Sequence, residues 1–227
     1  MDARARVATL GALALVAAGA AVVVLSLPGL LGLAGGTGLE VASVLARAAR
    51  PPVELGVAGS DTPLVGRALG FQRLTVAEEG RGAARAVSTL DFEGSLGETR
   101  VSSLGRETTH FRRRALGWEV DGSLAPTLAG AVAALSARAR ALERGDRAAL
   151  APLVAPAERD RVMADPALRA ALERPGRRPP RAWYLRFEPS EVTVTEEEEG
   201  RPEHVRRLRL VPRSPGSVEF VFAGSLL

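Results

Sequence analysis

The 227-residue chain contains no cysteine, which excludes disulfides and thiolate metal sites alike. Lysine is absent as well. That removes Walker A phosphate binding, Schiff-base chemistry and Ser–Lys nucleophile pairs. All thirty cationic side chains are therefore Arg, and asparagine and isoleucine are missing too. This joint absence is the mark of codon bias in a GC-rich genome, so abundant Arg is a poor sign of nucleic-acid binding. The formal charge of +4 is a small surplus over a nearly balanced set of acids, and it persists to high pH only because no Lys or Cys titrates. No Gly-x-Ser-x-Gly elbow is present, and no Gly-x-Gly-x-x-Gly follows a strand. The two histidines, His110 and His204, lie in predicted strands beside Arg and at no metal-ligand spacing. No catalytic residue, metal or cofactor is expected.

Charge is also missing where it matters most. Between Val7 and Leu39 there is no charged residue, and Arg4 and Arg6 stand just before that run. Its Ala/Val/Leu-rich heart, Val7 to Leu27, spans about 30 Å as a helix at roughly 1.5 Å per residue, enough to cross a bilayer. The basic flank places the N-terminus in the cytoplasm and the C-terminal bulk outside. The expected order is a cytoplasmic tail (1–6), an inner-membrane anchor in contact with lipid (7–33), a linker with a possible short helix (34–66) and an extracytoplasmic domain (67–227). The alternative is a signal peptide cleaved near Ala34, followed by secretion; the length of the run favours retention. On either route the domain is kept from nucleic acid.

Within 67–227 the hydrophobic period changes twice. In 67–122, Ala86, Ser88, Leu90 and Phe92 alternate with Arg85, Val87, Thr89, Asp91 and Glu93, as in a half-buried strand. Strands are predicted over Leu69–Glu79, Glu98–Leu104, Glu107–Ala115 and around Trp118, forming a meander. In 123–176, Leu128, Val132, Leu135, Ala139 and Leu142 recur at helical spacing, with Arg138, Arg140, Glu143 and Arg144 on other faces. Ser123 or Thr127 would cap that helix and Gly145 would end it. Asp146 and Asp165-Pro166 open two further helices. In 181–224, Trp183, Leu185 and Phe187 alternate, Val192 and Val194 follow on one face, and Glu196 to Pro202 reads as a solvated hairpin tip. Leu208 and Leu210 return, placing Thr193 and Thr195 beside Arg207 and Arg209, and Val218, Phe220 and Phe222 form the last strand. The fold class is α+β: a curved antiparallel sheet packed on about three helices.

The stretch "AVAALSARARALERGDRAALAPLV" (Ala131–Val154) resembles the long helix, Gly-Asp step and short helix of NTF2-like (SnoaL-like) domains. "RRALGWEVDG" (Arg113–Gly122) is similar to their strand ends, with an aromatic near a turn. The resemblance covers roughly 127–227. It implies a cone of bent sheet and helices, usable as a ligand pocket or a docking surface, with Trp183, Tyr184 and His204 as conceivable lining residues. The layout of short tail, single span and exported domain is similar to that of VirB8-like periplasmic subunits of secretion systems. Here the full meander precedes the helices, a departure from the family order.

Three charged features remain. Arg112 and Arg114, with Trp118 nearby, are candidates for a patch that meets an acidic partner or phosphate head groups, although alternation turns Arg113 away. Arg174 to Arg181, punctuated by Pro175, Pro179 and Pro180, reads as a surface loop. Asp91 and Glu93 share a strand face and read as solvated rather than as an acid/base pair. The sequence therefore points to an envelope protein with one membrane span, acting through a protein partner as an interaction or assembly module. Binding of a small apolar ligand in a cone is the alternative, and an NTF2-like enzyme a further one.

Overall fold

The protein is described by a computed structural model over residues 36–174, 176, 178–198 and 201–227, the side chains of 201–204 excepted. It is α+β, with one nine-stranded sheet and five described helices. The predicted tail, apolar run and cleavage site lie outside the described residues. No described helix is long and apolar enough to cross a membrane.

Helix α1 (Gly36–Ala48) leads into the short strand β1 (Val53–Leu55) and three long strands, β2 (Leu64–Glu78), β3 (Ala83–Leu96) and β4 (Thr99–Arg114), with β5 (Gly117–Val120) folding back on β4. The helical segment holds α2 (Pro126–Arg144), α3 (Arg147–Leu150), α4 (Arg159–Met163) and α5 (Pro166–Leu172). Strands β6 (Ala182–Phe187), β7 (Val192–Glu198), β8 (Arg201–Pro212) and β9 (Phe220–Phe222) close the chain. The order across the sheet is β1-β2-β3-β4-β6-β7-β8-β9, with β5 beside β4.

The sheet is not wholly antiparallel: β6 runs parallel to β4, Arg100–Gly105 pairing with Ala182–Phe187. A helical crossover between β5 and β6 makes this possible, since parallel neighbours need a long connection. The same edge of β4 then serves β5 over Phe111–Arg114. The two predicted strands on either side of Gly105 are one continuous strand. Gly105 has φ +147°, and a Cβ there would lie 2.4 Å from the Phe187 carbonyl oxygen, so only glycine lets the end of β6 approach.

Alternation puts Ala84, Ala86, Ser88, Leu90 and Phe92 of β3 on the buried face, as the sequence pattern requires. Every described helix packs on this one face. Helix α1 covers one end, where Val41, Ala42 and Leu45 meet Leu74, Ala84, Ala86, Phe111 and Trp118. Helices α2 to α5 cover the rest, with Leu128, Val132, Leu135, Leu150, Val162 and Leu168 against Phe92, Val101, Trp183, Val194 and Leu210. The segment expected as a linker is thus an integral part of the domain. At Gly130 a Cβ would sit 1.8 Å from the Val218 carbonyl oxygen, so α2 crosses the approach to β9 at backbone distance.

Gly145, at φ +66°, ends α2 in the left-handed conformation, and Asp146 and Asp165 accept from Ala149 N and Ala167 N at the starts of α3 and α5. The start of α2 departs from expectation. Neither Ser123 nor Thr127 caps it; the carboxylate of Glu107 does, from β4. Thr127 N and Leu128 N donate to its two oxygens at 3.0 Å each, and Thr108 N donates at 2.8 Å. Glu107 lies in the stretch of β4 between its β6 and β5 pairings, so one side chain serves strand and helix donors together. Burial raises the Glu107 pKa, against the lowering effect of these hydrogen bonds.

Candidate functional site

Among the charged residues, one buried set holds the fold and another lies on the uncovered face of the sheet. Arg138 is 1% exposed and Glu196 3%. Arg138 Nη1 donates to Glu196 Oε2 at 2.8 Å and Nη2 to Oε1 at 3.3 Å, while Nε donates to the Leu226 carbonyl at 2.6 Å. Trp183 Nε1 donates to Glu196 Oε2 at 3.0 Å, and the guanidinium carbon stands 5.8 Å from the Phe222 ring centre. This cluster ties α2, β6, β7, β9 and the C-terminal residues into one core. It corrects two expectations. Arg138 belongs to the buried stripe of α2, three residues after Leu135 and four before Leu142. Glu196 continues the inward series Val192 and Val194, so β7 extends to Glu198 and the hairpin tip is shorter than expected. The remaining tip residues, Glu199 and Gly200, lie outside the described residues.

Trp183 is therefore a core residue, 2% exposed, whereas its neighbour Tyr184 is 40% exposed on the opposite face. Their rings do not share a pocket. His204 lies in β8, and its side chain is outside the described residues. His110 is exposed, with Nδ1 3.7 Å from Glu79 Oε2.

Arg112, Arg114 and Trp118 do not form one patch. Arg113 is the register partner of Trp118, so Arg112 and Arg114 point to the other face. Trp118 is buried against α1, and Arg112 and Arg114 pair with Asp121 and Glu119 at 2.9 and 3.8 Å. An aromatic beside three Arg in sequence is split by the two-residue period of the strands.

The uncovered face carries a continuous row across six strands. Arg67, Glu93, Ser102, Tyr184, Thr195 and Arg207 are successive register partners on β2, β3, β4, β6, β7 and β8. Arg67 and Glu93 form an ion pair at 3.1 Å. One step along the strands lies a parallel row that includes Val65, Arg100 and Ala182. Between the rows, Gly66, Gly94, Val101 and Trp183 turn inward or lack a side chain. Their backbone floors a cleft of about 750 Å³, bordered also by Pro51 and Pro52. The sequence marked Tyr184 and set Thr195 beside Arg207, as the register has them, but not Arg67, Glu93 and Ser102, because pairing across distant strands is visible only once register is known.

No cluster of His, Asp or Glu capable of holding a metal occurs among the described residues. No protein-family model, curated protein sequence or solved structure matches the chain.

Proposed function

We propose that this is a membrane-tethered envelope protein whose α+β domain works as an interaction or assembly module through its helix-free sheet face. The observation that carries the reading is the one-sidedness of the fold. All five described helices cover one face, and the other presents a six-strand row of Arg, Glu, Ser, Tyr and Thr to solvent. Antiparallel sheets commonly leave one face wet, but here the wet face also holds a cleft. The tether rests on the uncharged run from Val7 and its Arg flank. Helix α1 supports a short connection, since it packs into the domain from Val41 onward.

The resemblance to NTF2-like domains would put a ligand between sheet and helices. In this chain that space holds close-packed side chains, including Trp183, Leu135 and Phe222, which favours the outer face as the working surface.

The absence of native cysteine allows a clean test of placement. Single Arg4→Cys and Arg207→Cys variants of the full chain would be exposed, in intact cells, to a membrane-impermeant maleimide. The proposal expects labelling of Cys at 207 and protection at 4, with the chain in the membrane fraction. Labelling of neither in intact cells, or a chain recovered wholly in the soluble fraction, contradicts it.

A further inference from the structure

The cleft on the outer face has unspent hydrogen-bonding capacity at one end. Arg100 and Ser102 are two apart on β4 and so share a face, and Ser102 is the direct register partner of Tyr184 on β6. None of these three side chains makes a hydrogen bond or ion pair within the described residues, although the backbone beneath them is fixed. Arg100 N donates to the Arg181 carbonyl at 3.0 Å, and Thr99 Oγ1 donates to the Pro180 carbonyl at 2.8 Å, holding the loop before β6 against β4. A guanidinium, a hydroxyl and a phenol thus stand side by side on a rigid sheet with their donors free.

The rest of the cleft differs in character. Pro51, Pro52 and Val65 form an apolar end, and the exposed Tyr184 ring offers a flat surface. Arg67 is already neutralised by Glu93, leaving Arg100 as the unbalanced charge among the described residues that line the cleft. The volume, about 750 Å³, falls in the range of small-molecule sites.

We propose that this cleft binds a small amphipathic monoanion, its carboxylate head held by Arg100, Ser102 and Tyr184 and its apolar body lying toward Val65 and the two prolines. A guanidinium with adjacent hydroxyls matches the planar, multi-acceptor geometry of a carboxylate, whose single charge the Arg100 guanidinium balances. The apolar end gives such an anion an advantage over a bare inorganic ion. The inference does not depend on the tether: every residue it uses lies in the described domain.

Tyr184 is the chain's single tyrosine, so it reports on its own site. Full-length protein labelled with ring-¹³C tyrosine gives one tyrosine environment to follow by NMR while benzoate is added. The proposal expects a saturable shift with benzoate, and no comparable shift with benzyl alcohol or inorganic phosphate at equal concentration. Arg100→Gln should weaken benzoate binding by about tenfold or more, the loss of a charge-assisted contact. Val65→Asp should weaken it as well, while both variants retain the wild-type circular dichroism. No saturable shift overturns the proposal. So does an equal response to benzyl alcohol or phosphate, or undiminished binding in Arg100→Gln. Membrane placement can fail while this response persists, and the reverse, so the two readings are separable.

Discussion

Arg138 of α2 and Glu196 of β7, 58 residues apart in sequence, form a two-point ion pair in the core, with neither side chain exposed by more than a few percent. The pair is useful to the fold only as a complete set. Glu196 also accepts from Trp183, and Arg138 also donates to the Leu226 carbonyl, so each charge is met by more than its partner. Removing one member of a buried pair commonly costs about 3–5 kcal/mol, whereas replacing both by apolar groups is often close to neutral.

Arg138→Met and Glu196→Leu should each destabilise by about 3 kcal/mol or more, and the double variant by clearly less than their sum. Urea melts of the four proteins measure the coupling. Additive losses would show that the two charges do not depend on each other.

Glu107 gives a prediction with a pH sign. Glu107→Ala leaves the N–H groups of Thr108, Thr127 and Leu128 without their acceptor and should cost about 3 kcal/mol or more. Because burial raises its folded pKa above the unfolded value, the folded state binds that proton more tightly. Its contribution to stability is therefore fullest below the unfolded value and declines as pH rises through the raised one. Wild type should gain stability relative to Glu107→Gln as pH is lowered from neutrality toward the ordinary carboxylate range. Denaturant melts at several pH values check this; a relative loss on acidification would contradict it.

At Gly130 two effects oppose each other. Alanine is the better helix former by up to about 1 kcal/mol. Yet its Cβ would stand 1.8 Å from the Val218 carbonyl oxygen, and backbone cannot yield cheaply. Overpacking of about 1–3 kcal/mol should win, so Gly130→Ala lowers Tm. A raised Tm would mean that the approach to β9 relaxes freely.

Much of this was legible in the sequence. The alternation from Ala86 to Phe92, the α2 stripe, Gly145 and the Asp caps all follow from local chemistry, and the structure reproduces them. The two buried charges were legible in position but not in role. Arg138 falls on the Leu135–Leu142 stripe and Glu196 on the Val192–Val194 face, so period, and not residue type, decides that both turn inward. Other features were beyond reach. The parallel pairing of β6 with β4 is a long-range choice, and the capping of α2 by Glu107 joins residues 20 apart in different elements. The trio Arg112, Arg114 and Trp118 failed for a local reason, since adjacent strand residues face opposite ways.

If the domain works through the uncovered face of its sheet, as proposed, a partner meets that face and not the helical one, and cross-linking from each face separates the two outcomes. A benzophenone maleimide would be attached to single Arg207→Cys and Arg169→Cys variants of the full chain, the first on the sheet face and the second exposed on α5. After irradiation in native envelopes, discrete adducts are expected from position 207 and none from 169. Adducts from 169 alone, or from neither position, would contradict it.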